Sequence, residues 1–563
     1  MKSAIKLKRR KLNAQKLFFF LSIVPLLLFS SCRTADDAAR GESRNEEQQQ
    51  QPDQTTASFD VPAFDINLAK PLQISTKPED IALCAQINRT IEESEYANAR
   101  WGVFVLSLKD GRIACARDGR QLFNPASIEK TLTSIVALDK LGVDYRFKTS
   151  VFAPAQIDAD GNLNGDLTVY GTGAPDFDAA AMDNLINQLQ SKGLKHVRGN
   201  IVGDDSYFKG LTIGDGWTWN ELQWHYGAEA SALSFKENIA GVYMDTDGKP
   251  AASTDLFAIH GEVEPTQSGQ TPAFGIQRGL ESNDVYVWGN GKRAYGKLSV
   301  HDPALFTARN FKKSLENKGI TVEGDFKSVG WKTENRPEVT NTNELAFVES
   351  KPLGELVQRL NKHSVNLYGE LLLRAIGKKF GAEAPDESRE IQEIRGDDAA
   401  GAAVIKKFLR QNNVAVEDVS IHDGSGLSRL DFVSPEAFAR ALAFAAKSNF
   451  ADAFINSLPI AGTDGTLGGR LWNVKGRILA KTGTITFVNS LAGYAQADDE
   501  IFAFSIIANN ITRKHDGVRI IDKIAQSLVK KSMNAGDDDK KQMPENSRKE
   551  NEPAENQSST NAP

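Results

Sequence analysis

Three short motifs constrain the fold of this chain more than any other feature: Ser127-Ile-Glu-Lys130, Ser364-Val-Asn366 and Lys481-Thr-Gly483. Each is weak alone. Ser-x-x-Lys recurs at Ser3–Lys6, in the basic N-terminus, and at Ser527–Lys530, both accidental. In this order the three supply a serine nucleophile, a lysine base, a second hydroxyl, an amide and a second cation. That inventory suits attack on an amide carbonyl next to a carboxylate. If the three act together, Ser127 and Ser364 must meet although 237 residues separate them. The core is then built from two chain segments around an insertion.

The local chemistry supports such a site. On a helix, residues i and i+3 share a face, so the Lys130 amine can reach the Ser127 hydroxyl one turn back. Asn124-Pro-Ala breaks the chain just before Ser127, and Ile128, Leu132, Ile135 and Leu138 then follow with helical period. An amine takes a proton from serine only if it is neutral, and burial or a second cation favours that state. A serine in the first helical turn also meets the positive end of the helix dipole. Ser364 and Asn366 fall inside a helical pattern at 352–378. Residues i and i+2 do not share a helix face, so the backbone must bend there if both act on one substrate. Lys481-Thr-Gly483-Thr484 ends a strand-like run, and its glycine lets another backbone approach closely.

A length of 563 residues predicts two to four domains. A net charge of −6 with no long basic block in the body argues against nucleic acid as the main partner. The seven histidines include no close pair at zinc-ligand spacing, so no metal is expected; no cofactor is expected either. Lys2, Lys6, Lys8, Arg9, Arg10, Lys11 and Lys16 precede an apolar run from Leu17 to Phe29, too short to span a bilayer comfortably. Residues 1–31 therefore read as an export signal. Its end, Phe29-Ser-Ser-Cys32, resembles the lipobox of bacterial lipoproteins, with Phe29 where leucine is usual, which implies lipidation at Cys32 and a membrane anchor. Arg33 follows in place of an inner-membrane retention Asp, so the expected location is periplasmic and tethered to the outer membrane. Cys84 and Cys115 are then either a disulfide or two buried thiols.

Composition divides the rest. Residues 32–65 are polar and read as a disordered tether, and 534–563 as a disordered tail. Helical spacing marks 78–98, and Lys109-Asp-Gly111 turns a hairpin between 101–108 and 112–117. Helices are expected at 399–411, 434–447 and 515–532, and strands at 476–482, 487–496 and 501–509. Residues 66–154 and 346–533 thus form one mixed α/β domain. Residues 155–345, with short strand-like runs at 167–170, 200–202 and 284–288, read as smaller inserted β-rich domains.

Taken in order, the three motifs resemble the signature of penicillin-binding proteins and serine β-lactamases. Further blocks are similar to those of the class C D-alanyl-D-alanine carboxypeptidase/endopeptidases of the S13 family: Gly203-Asp-Asp-Ser-Tyr-Phe208, Gly214-Asp-Gly-Trp-Thr-Trp-Asn-Glu221, Asp423-Gly-Ser-Gly-Leu-Ser-Arg429 and 458–467. The resemblance runs from about 80 to 530. It implies a serine β-lactamase/transpeptidase-like sheet flanked by helices. It implies that Ser127 is acylated with Lys130 as base, while Ser364 and Asn366 shape proton transfer and hold the substrate. Lys481, Thr482 and Gly483 would receive the terminal carboxylate region, and the amides of Ser127 and Thr484 would form an oxyanion hole. Ser425 would line the site. Glu221, where the family has Asp, and Arg429 would face the amine and carboxylate of a diaminopimelate side chain. The substrates implied are peptidoglycan stem peptides and crosslinks, with β-lactams as covalent inhibitors. The alternatives are a β-lactamase or esterase of the same superfamily, for which the long insertion is unneeded, and a non-catalytic cell-wall-binding lipoprotein.

Overall fold

Long apolar runs at both ends of the chain pair with one another. In the computed structural model, strands β1 (Arg100–Ser107), β2 (Ile113–Arg117), β3 (Ile478–Ile485), β4 (Val488–Gln496) and β5 (Ile501–Asn509) form one antiparallel sheet in the order β3-β4-β5-β1-β2. The structure describes residues 71–529, with Ile66 and Leu68 ahead of them, apart from 265–266, 272, 292–294, 335–338, 340–342, 385–395 and 418. The expected export signal, Cys32, the tether and the tail lie outside the described residues.

The central strands β1, β4 and β5 are buried at nearly every position because helices cover both faces of the sheet. Side chains alternate across it. Trp101, Val103 and Val105 of β1 join one core with Ile87 and Ile91 of helix α1 (Pro78–Glu92) and Ile520, Ile521 and Ile524 of the C-terminal helix. Phe104 and Leu106 join the other core, with Leu132 and Ile135 of helix α2 (Glu129–Leu141). Helix α1 ends short of the expected 98; residues beyond it turn, and the Tyr96 carbonyl accepts from Trp101 Nε1 at 2.9 Å. Cys84 on α1 and Cys115 on β2 are joined as a disulfide, which pins α1 to the sheet edge.

The stretch expected as one helical pattern at 352–378 is two helices, α3 (Leu353–His363) and α4 (Asn366–Phe380). Ser364 separates them in the left-handed region at φ 59°, the bend that its spacing from Asn366 required. Helices α5 (Asp397–Gln411) and α6 (Pro435–Lys447) follow, the latter capped by the Ser434 hydroxyl. The Tyr494 hydroxyl of β4 donates to the Leu442 carbonyl at 2.8 Å and ties α6 to the sheet.

A second five-stranded sheet is mixed. Its order is Phe326–Val329, Ile201–Asp204, Leu167–Gly171, Lys148–Ala153 and Asn343–Glu349. The first three strands run parallel, and the last two pair antiparallel. Two three-stranded sheets, built from strands between Ile239 and Ser299, meet where Gly296 packs on Ile276. Among the described residues no helix is long and apolar enough to cross a membrane.

Candidate active site

Ser127 is placed by a strained turn. Asn124 accepts from the Ala126 amide through Oδ1 and donates through Nδ2 to the carbonyls of Ser428 and Asp431. Asn509 of β5 brackets the same residue, accepting from its amide at 2.9 Å and donating to its carbonyl at 3.0 Å. These bonds hold Ala126 at φ 51°, an unfavourable value for a residue with a side chain, immediately before Ser127. Residues 126–128 form a 3-10 turn that continues into α2.

Lys130 lies one turn on and is fully buried. Its Nζ donates to Ser127 Oγ at 2.9 Å, to Asn366 Oδ1 at 2.6 Å and to the Ser425 carbonyl at 2.6 Å. Burial pulls this amine down to about 8 against the pull of Asp423, Glu370 and Glu129, which favour its charge. Lys481 on β3 is also fully buried. Its Nζ donates to Ser364 Oγ at 2.8 Å and to the Thr482 carbonyl at 2.7 Å. Burial, and then the nearby Lys130, hold the Lys481 amine well below the ordinary lysine range. Two buried amines this close each disfavour the other's charge.

Strand β3 passes directly beside Ser127. A Cβ built on Gly483 would lie 3.0 Å from the Ser127 nitrogen, 3.0 Å from the Pro125 carbonyl oxygen and 2.1 Å from Ser490 Oγ. Only glycine fits this crossing, and the neighbouring Thr482 and Thr484 are half-buried. Thr482 Oγ1 donates to Thr466 Oγ1 at 2.7 Å, and Thr484 Oγ1 accepts from Asn489 Nδ2. The structure therefore brings Ser127, Lys130, Ser364, Asn366, Lys481, Thr482, Gly483 and Thr484 into one cleft.

The remaining candidates sit at its edge. Glu221 and Arg429 face each other at 3.4 Å, and Arg429 also donates to the Thr486 carbonyl at the end of β3. Glu221 accepts from Thr218 Oγ1 at 2.7 Å. Ser425 reaches the cleft through its carbonyl on Lys130; its hydroxyl turns away to Asp423 at 3.0 Å.

Sequence reasoning missed several contributors. The Tyr226 carbonyl, from the inserted segment, accepts from Asn366 Nδ2 at 2.7 Å. Asn509 lies in no motif, while Thr466 and Asp423 fall inside the 458–467 and 423–429 blocks without a role having been assigned to them. For Asp423 a local signal existed, since its Asp-Gly-Ser-Gly context is that of a side chain capping its own loop. Among the described residues no group of three or more His, Cys, Asp or Glu is arranged to hold a metal ion.

The sequence profile described as the D-Ala-D-Ala carboxypeptidase 3 (S13) family matches residues 83–531. The chain is 29% identical over 472 residues to a D-alanyl-D-alanine carboxypeptidase from an Actinomadura species, covering 79% of this chain and 84% of that protein. Its fold is similar to penicillin binding protein 4 from Haemophilus influenzae, with a TM-score of 0.67 and 24% identity over 79% of this chain and 99% of that one. That protein has also been solved with a β-lactam, where the TM-score is 0.62 at 22% identity, with the same coverage of both chains.

The Gly483 crossing makes a sharp prediction. Gly483→Ala should lower the rate of acylation by a fluorescent penicillin about 10²-fold, the scale of a 1 Å displacement at a reacting centre. Adding Ser490→Ala removes the closest clash and should recover part of that loss in the same stopped-flow measurement. A wild-type rate in Gly483→Ala would refute the crossing.

Proposed function

The chain belongs to the D-Ala-D-Ala carboxypeptidase (S13) family, and on that premise we propose that it hydrolyses the D-alanyl bond of peptidoglycan peptides through an acyl-Ser127 intermediate. The observation that carries this is the buried Lys130 amine, 2.9 Å from Ser127 Oγ and held near neutrality. Neutral Lys130 takes the Ser127 proton as Oγ attacks the carbonyl. The amides of Ser127 and Thr484 receive the developing oxyanion, which is usually the largest stabilising contribution in acyl transfer. Ser364, hydrogen-bonded to Lys481, relays to the leaving amine the proton that Lys130 took from Ser127, so that Lys130 is neutral again, and Asn366 holds the substrate. Water then hydrolyses the ester, with Lys130 as base again.

Lys481, Thr482 and Gly483 receive the terminal carboxylate. An anion there favours charged Lys481, and charged Lys481 favours neutral Lys130. Substrate binding thus prepares the base. β-Lactams present the same carbonyl and carboxylate and acylate Ser127. Release of a terminal D-Ala and cleavage of D-Ala–diaminopimelate crosslinks use the same chemistry. Glu221 and Arg429, already paired across the cleft edge, exchange that contact for the amine and carboxylate of the diaminopimelate side chain. Ser425 contributes its carbonyl to the base. The basic and apolar N-terminus supports export, lipidation at Cys32 and outer-membrane tethering in the periplasm.

Labelled penicillin and crosslinked muropeptides test the reaction together. Ser127→Ala should abolish both labelling and cleavage; surviving label would refute the nucleophile. Acylation needs neutral Lys130, so its rate should rise about tenfold per pH unit and level off above about 8. A rate that falls as pH climbs through that range would contradict the base assignment.

Glu221→Gln should lower kcat/KM for diaminopimelate muropeptides about tenfold, within the range for losing one charge-assisted contact. Acylation by penicillin, which lacks that amine, is the comparison. An equal loss on both would remove Glu221 from side-chain recognition.

Metabolic labelling with a palmitate analogue should mark the wild-type protein and not Cys32→Ser. Equal label on both, or on neither, refutes lipidation at Cys32.

A further inference from the structure

Beneath the site, the carboxyl groups of Glu129, Glu370 and Asp423 act on the buried Lys130 amine, and a fourth, Asp431, is buried beside Asp423. Glu129, Glu370, Asp423 and Asp431 are all fully excluded from solvent. Glu129 has no hydrogen-bond partner on either oxygen. Burial, and then Asp423, push its carboxyl far above the usual range. Asp431 is pushed up the same way, and as an acid it can donate to Asp423. Burial raises Glu370 to about 7, although Arg374 donates to it at 2.9 Å and the Gly424 amide at 3.0 Å.

Asp423 stands apart from these three because it is saturated with donors. It accepts from the amides of Ser425, Gly426, Leu427 and Ser428 at 3.1, 2.6, 3.0 and 2.8 Å. The Ser425 hydroxyl donates at 3.0 Å, and Trp217 Nε1 at 2.8 Å. Converging donors are the surroundings of an ionised carboxylate.

These bonds lead in two directions. The amide bonds fold 423–428 into a tight loop against the nucleophile turn, where a Cβ on Gly426 would meet the Ala126 carbonyl oxygen at 1.9 Å. That loop aims the Ser425 carbonyl at Lys130 Nζ, 2.6 Å away. The Trp217 bond comes from the inserted segment, four residues before Glu221. The same two stretches are joined by His422 Nδ1 with Asp215 Oδ2 at 2.8 Å and by the Arg429 amide donating to the Gly216 carbonyl at 3.1 Å.

We propose that Asp423 is a positioning residue for acylation: it aims the Ser425 carbonyl and its own charge at Lys130, and through Trp217 it makes that hold depend on how the inserted loop is seated. The inserted segment then does more than recognise the substrate; it sets the base. The proposal rests on the reading of Ser127 and Lys130 given above.

The charged and titratable groups facing Lys130 are Asp423, Glu370, Glu129 and Lys481. Removing the Asp423 charge leaves the amine less reason to hold its proton. Its neutral form should then appear at lower pH. The test is acylation of the full chain by a fluorescent penicillin from about pH 6 to about pH 10, a range that brackets the base. Asp423→Asn should lower the plateau rate about 10²-fold and move the acidic limb to lower pH. Asp423→Glu keeps the charge and should return the limb to its wild-type position, with the plateau still reduced. Trp217→Phe keeps the ring and removes only the N–H, and should lower the penicillin rate about tenfold while the protein stays folded by circular dichroism.

An Asp423→Asn rate reduced equally at all pH, with an unmoved limb, would reduce the residue to a structural part and overturn the proposal. Should that variant not fold, Trp217→Phe decides alone: a wild-type rate overturns the coupling. A wild-type protein that penicillin does not acylate at all overturns the underlying serine–lysine reading first, and the proposal with it.

Discussion

One buried amine organises this protein. Lys130 has three acceptors, and they come from three places: Ser127 on its own turn, Asn366 at the start of α4 and the Ser425 carbonyl. A lysine without water is costly unless its donors are satisfied or its proton is lost. The surrounding chain does both in part, with acceptors in place and the amine held near neutrality. Moving any of the three acceptors leaves a buried donor unsatisfied. The bend at Ser364, the loop at 423–428 and the glycine on β3 can all be read as consequences of that convergence.

Lys481 is the counterpart. It is as deeply buried as Lys130, yet its Nζ donates to one hydroxyl and one carbonyl, both neutral acceptors. Asp423, Glu370 and Glu129 lie on the Lys130 side, and of these Asp423 is the one saturated with donors, while the Lys481 side offers neutral acceptors. The site is therefore polarised: carboxyl groups act on the Lys130 amine, and only neutral acceptors meet Lys481. Charge placement of this kind orients a substrate without needing a large apolar pocket.

Much of this was legible in the sequence because its signals are local. The strands at 487–496 and 501–509 fall within a residue of those observed, since continuous apolar runs bounded by turns are what a sheet buried on both faces requires. The bend at Ser364 followed from the two-residue spacing to Asn366 alone. The three motifs meet as their chemistry requires. What escaped notice depends on contacts distant in sequence. Asn124 and Asn509 clamp the nucleophile turn across 385 residues, and neither has a local pattern that says so. Ser425 is expected from its block to line the site; which of its atoms does so is set by the loop geometry that Asp423 imposes, with the carbonyl on Lys130 and the hydroxyl turned away. Backbone atoms have no sequence signature, so the carbonyls of Ser425 and Tyr226 were invisible until the chain was folded.

The strand order carries a consequence for how the molecule comes into being. β1 lies between β2 and β5, paired residue for residue with β5 from Arg100↔Asn509 to Ser107↔Phe502. Its seven buried positions after Arg100 are formed early in synthesis, but the strand that covers their edge is made last. Until then an apolar strand with one open edge waits while some four hundred residues emerge, a state prone to wrong pairing. Sheet closure is a late, long-range step, slow by loop entropy and exposed to aggregation. The N-terminal hairpin must therefore keep its apolar edge from wrong pairing until β5 is made.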